Sequence, residues 1–149
     1  MQKNMSKKLF LFIIAIMTAA IAIRADETRL SSATSTGPMT FLADSVMFRK
    51  DLTRVYGRLS GRPHTSNRID LLLLRPAKGA QVESTDIDGV DMKRWFQWED
   101  DGIITVEIDF PAMTPQPYMT ISADGPRGMS VWKISNKQKS VKGAKKTKK

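Results

Sequence analysis

The stretch from Lys93 to Phe110, "KRWFQWEDDGIITVEIDF", decides how this chain is read. In its first half an extended backbone puts Arg94, Phe96 and Trp98 on one side and Trp95, Gln97 and Glu99 on the other. Its second half alternates Ile104, Val106, Ile108 and Phe110 with Thr105, Glu107 and Asp109. A period of two marks half-buried strands, and Asp100, Asp101 and Gly102 between the halves have turn chemistry. The pattern predicts a β-hairpin with its carboxylates at the tip.

The same pattern recurs outward from that stretch. In "LTRVYGRLSG", Val55 and Leu59 oppose Arg54, Tyr56 and Arg58, and a further strand is expected around Ser45 to Arg49. Leu71 to Leu74 form a continuous apolar run, as in a central strand covered on both faces. "AQVES" reads as a short strand before a "DIDG" turn. "YMTISA" and "MSVWKIS" flank "DGPRG", a second hairpin signal. The three prolines of "PAMTPQP" are excluded from a central strand, so that segment reads as a crossing between sheets or along an edge. No stretch keeps apolar residues at helical spacing for three turns. The expectation is an all-β fold, an immunoglobulin-like two-sheet sandwich of seven or eight short antiparallel strands, with a small β-barrel as the alternative.

The ends of the chain have a different character. Lys3, Lys7 and Lys8 precede an apolar run from Leu9 to Ile23, closed by Arg24 and Ala25, which reads as an export signal over 1–25 cleaved after Ala25, or alternatively after Ala22. Fifteen residues fall short of the roughly 20 that span a bilayer, so a retained anchor is the weaker reading. Residues 26–40, rich in small and hydroxylated side chains, are expected to be a flexible leader. The sandwich is expected over 41–136, followed by a disordered Lys-rich tail over 137–149.

Charge and composition narrow the function classes. The formal net charge is +9, yet residues 26–136 carry 13 Lys and Arg against 15 Asp and Glu, a net of −2. The excess therefore sits at the two ends, which argues against specific nucleic-acid binding. Lys142, Lys145, Lys146, Lys148 and Lys149 make the tail a weak polyanion site, suited to tethering on an anionic membrane surface. With no cysteine, the chain has no disulfide, thiolate nucleophile or Cys-ligated metal. His64 is the only histidine, so neither a His-based metal site nor a Ser-His-Asp triad has enough parts. No phosphate-binding glycine loop or nucleophile elbow is present. Asp86 to Asp91, "DIDGVD", resembles a calcium loop, but matching its glycine puts Trp95 where a bidentate Glu is required, and a turn is expected instead. No enzyme, cofactor or metal is expected.

Two binding readings follow. The leading one is an exported, monomeric, non-enzymatic binding or scaffolding module of the bacterial envelope with a protein partner, for which an open sheet edge would offer backbone hydrogen bonds. The alternative is a carbohydrate-binding module, with Trp95 as an aromatic platform beside Gln97 and Glu99, joined by Tyr56, Trp98 or Tyr118. Burial of Trp95, Trp98 and Trp132 together would remove that platform. A cysteine-free hydrolase or inhibitor is the third reading.

The run "DIDGVDMKRWFQWEDDGIITVEIDFPAM", with "WKI" at Trp132 to Ile134, resembles the β-sandwich domain that precedes the thioredoxin-like domain in TlpA-type thiol-disulfide reductases. The shared order is Gly89, Trp95 with Phe96, the Gly102 turn, an alternating strand ending at Phe110 and Pro111, and Trp132. Those reductases carry their chemistry on a Cys-x-x-Cys pair that this chain lacks, so the resemblance implies an accessory module without redox residues.

Overall fold

Alternating burial shapes the long strands. Thr53, Val55, Gly57 and Leu59 point inward while Arg54, Tyr56 and Arg58 stand on the outer face, and Val106, Ile108 and Phe110 repeat the pattern one strand over. The computed structural model describes residues 26–136, so the expected export signal and lysine tail lie outside the described residues. Within them the chain is all-β. The elements are β1 (Glu27–Thr36), β2 (Thr40–Phe48), β3 (Leu52–Ser60), β4 (Ser66–Asn67), β5 (Leu71–Pro76), β6 (Val82–Glu83), β7 (Asp86–Asp88), β8 (Phe96–Gln97), β9 (Ile103–Pro111), β10 (Tyr118–Asp124) and β11 (Ser130–Asn136).

These strands build a two-sheet antiparallel sandwich that does not close into a barrel. One sheet has the order β1-β2-β3-β9-β7 and the other β6-β5-β10-β11-β1. The count exceeds the expected seven or eight because the ten-residue β1 and the short β4 and β7 add to the expected strands. β1 belongs to both sheets: residues 27–30 pair with β2, and residues 31–36 pair with β11. The expected flexible leader is thereby corrected over most of its length. Its place in the fold comes from backbone pairing on both flanks, which small side chains such as the buried Ser31 allow.

The core lies between the sheets. Phe41 stacks on Trp132 with ring centroids 4.9 Å apart, and the Trp132 indole donates to the Met39 carbonyl at 3.0 Å. Each large side chain buried in this way contributes about 1.5–3 kcal/mol. Leu72 and Leu74 are fully buried while Leu71 and Leu73 are only half-covered, so β5 buries one face rather than two. Its outer neighbour is the two-residue β6, which leaves it close to a sheet edge. The prolines of the 111–117 segment lie where the chain passes from β9 in one sheet to β10 in the other, and β10 and β11 form the expected hairpin.

Candidate functional site

The opening stretch folds differently from the expected hairpin. The chain does reverse at Glu99 to Gly102, where the Gly102 amide donates to the Glu99 carbonyl at 3.0 Å. β8, however, pairs with β4 and not with β9. β3 holds one edge of β9 along its whole length, and β7 pairs with residues 107–109 of the other. The aromatic stretch is instead sewn to residues 61–69: the His64 amide donates to Trp98 O at 2.8 Å, the Trp98 amide to Thr65 O at 2.9 Å, and the Lys93 amide to Ile69 O at 2.7 Å.

Alternation then decides which tryptophan is free. Trp98 is buried, with Phe96 edge-on to it at 5.2 Å and Gly61 beneath it. A Cβ at Gly61 would lie 2.1 Å from the Trp98 indole, so only glycine fits under the ring. With Phe96 and Trp98 turned inward, Trp95 turns outward and is 53% exposed, next to the exposed Gln97 and Glu99. Trp98 and Trp132 are core residues, and the aromatic platform rests on Trp95 alone.

Two guanidinium groups flank that ring. The Arg68 Cζ lies 5.7 Å from the Trp95 ring centroid and the Arg127 Cζ 5.5 Å from it. Arg68 is fixed by a two-pronged pair with Asp70, at 2.7 and 3.0 Å. The Arg68 hydrogen bonds hold the Asp70 carboxyl below the usual carboxylate range, and the same contact raises the Arg68 pKa. Arg127 comes from the β10–β11 turn and approaches the Ser66 hydroxyl at 3.4 Å. That turn rests on the Arg68 segment: a Cβ at Gly125 would lie 2.0 Å from the Arg68 carbonyl, and the Asp70 amide donates to Asp124 O at 2.8 Å. Three segments distant in sequence thus meet at one indole.

On its other flank Trp95 borders an open groove of about 550 Å³ walled by Asp88, Val90, Asp91, Arg94 and Phe96. Gly89, at the end of this groove, has φ +104°, and a Cβ there would lie 2.2 Å from the Thr105 carbonyl. "DIDG" is therefore a short edge strand followed by a glycine turn. Among the described residues no group of three or more His, Asp or Glu is placed to hold a metal ion.

The remaining aromatic candidates lie elsewhere. Tyr56 is on the outer face of β3, opposite Glu107, which is in turn opposite Asp88. It belongs to a charged ladder, with Arg54 paired to Asp109 at 2.7 Å and Arg58 to Asp44 at 3.1 Å, and it does not line the groove. Tyr118 is exposed at the end of β10 opposite to the turn that carries Arg127. Lys142, Lys145, Lys146, Lys148 and Lys149 are outside the described residues. The sequence reading missed Arg68 and Arg127 because nothing local in "NRID" or "DGPRG" places them on Trp95.

Guanidinium groups over an indole form cation–π contacts of about 0.5–1 kcal/mol at an exposed site, and they leave less of the ring face for a sugar to stack on. Comparison of the chain with protein-family models, curated proteins and solved structures finds no match.

Proposed function

We propose that this protein is an exported, non-enzymatic binding module of the bacterial envelope, and that it docks a protein partner on Trp95 and its flanking arginines. One observation carries the reading: a half-exposed indole is held between Arg68 and Arg127 on a backbone pinned by Trp98 and Gly61. Trp and Arg dominate the residues that contribute most to protein–protein affinity. Side chains ordered before contact lose less entropy on binding. The resemblance to a reductase accessory domain supports the same kind of role. Strand addition at a sheet edge is a poorer route, because the free edges, β6 and β7, are two and three residues long and carry Glu83, Asp86 and Asp88.

A quantitative pull-down from native envelope extract tests the reading, with the chain from Asp26 to Lys149, the same chain ending at residue 136, and Trp95→Ala in the longer form. The expected result is a stoichiometric protein retained by both lengths and lost with Trp95→Ala. Enrichment that disappears with the tail alone would replace docking by electrostatic tethering. A saturable change in tryptophan fluorescence with soluble glycans, absent in Trp95→Ala, would transfer the site to carbohydrate.

A further inference from the structure

The charges around Trp95 are unevenly matched, and this deepens the protein-docking reading on which the inference rests. Arg68 is neutralised by Asp70 at 2.7 Å, and Arg94 is opposed by Asp91 at 3.7 Å. Arg127 has the Trp95 ring and the Ser66 hydroxyl beside it, and no ion pair among the described residues. Arg62 and Arg75 are also exposed and unpaired among those residues, yet neither stands over an aromatic ring. This end of the sandwich thus presents an indole with an uncompensated guanidinium over it.

We propose that the occupant of this surface is an acidic–hydrophobic peptide segment, with a carboxylate paired to Arg127 and an adjacent apolar side chain against Trp95. A guanidinium already ordered by a ring gives up little further freedom when it forms charge-assisted hydrogen bonds to a carboxylate. Asp88 on the groove side of the ring and the exposed Glu99 two positions beyond Gln97 have no ion pair among the described residues, so an occupant that extends past Arg127 toward either of them is acidic at one end only.

The probe is a library of linear peptides displayed on phage, selected on the chain from Asp26 to Lys149 and counter-selected on Trp95→Ala. Trp95-dependent peptides are expected to carry Asp or Glu beside Phe, Trp, Leu or Met, and their affinity is expected to fall about tenfold with Arg127→Ser and to weaken with salt. Arg62→Ser is expected to leave them unchanged, and unaltered thermal midpoints show that both serine variants are folded. Trp95-dependent peptides that are neutral or basic, or that ignore Arg127→Ser, overturn the acidic occupant while leaving protein docking in place. A selection that yields no Trp95-dependent peptide overturns both.

Discussion

At the scale of single residues, the site depends on Gly61. Its missing side chain is the space that Trp98 fills, so Gly61→Ala forces the indole or the backbone to move, at a cost of about 1–3 kcal/mol, the usual range for overpacking. Urea unfolding followed by circular dichroism measures that loss. Trp98→Ala, which empties a core position, is expected to cost about 3–5 kcal/mol, whereas Trp95→Ala changes stability by less than about 1 kcal/mol and acts on binding. That Trp95 and Trp98 face opposite ways was legible in the alternation of 94–99, but which of them is buried was not, because that depends on the 61–69 segment packed beneath Trp98. The arginines were not, because only the tertiary fold brings Arg68 and Arg127 together. Their ion chemistry gives a pH test. Asp70 has a lowered pKa in the folded state, so its pair with Arg68 contributes stability above the ordinary carboxylate pKa of about 4 and loses it as pH falls through the lowered value. Thermal midpoints measured between neutral pH and about pH 2 are expected to fall more steeply in the native protein than in Asp70→Asn.

At the scale of elements, β1 shows what composition conceals. "ETRLSSATST" has too few large apolar side chains to signal a buried strand, and its order comes from backbone hydrogen bonds to β2 on one edge and β11 on the other. A chain starting at Gly37 lacks both pairings and leaves β2 and β11 with open edges. It is expected to lose its cooperative thermal transition and to associate, which light scattering during the melt detects. An unchanged melt would restore the leader reading. β8 carries a related lesson. Its turn was readable from Asp100 to Gly102, but its partner was not, because the strand it pairs with, β4, is far away in sequence while β3 holds one whole edge of β9 and β7 part of the other. Local chemistry fixes where a chain turns, and competition among distant strands fixes what it pairs with.

For the whole molecule, that competition sets the folding order. The sandwich class was legible because alternation and turns are local features, while the pairing that ties the two sheets together joins Ser31 to Asn136 across nearly the whole described chain. Val55 with Ile108 and Leu74 with Ile121 are also long-range partners, so much of the chain must be organised before these contacts reward it. Sheet proteins dominated by such contacts refold in milliseconds to seconds. The β1–β11 contact closes the longest loop and is expected to form after the rate-limiting step. Ala33→Gly, opposite Ile134 in the middle of that pairing, removes about 1 kcal/mol by loosening β1. If β1 docks late, this change accelerates unfolding about fivefold and leaves refolding untouched, whereas Val55→Ala in β3 slows refolding. Stopped-flow fluorescence resolves the two limbs, with the buried Trp132 opposite Ser35 as an internal reporter. Slower refolding of Ala33→Gly in proportion to its lost stability would instead place β1 in the folding nucleus, and the sandwich would then assemble around the strand its two sheets share.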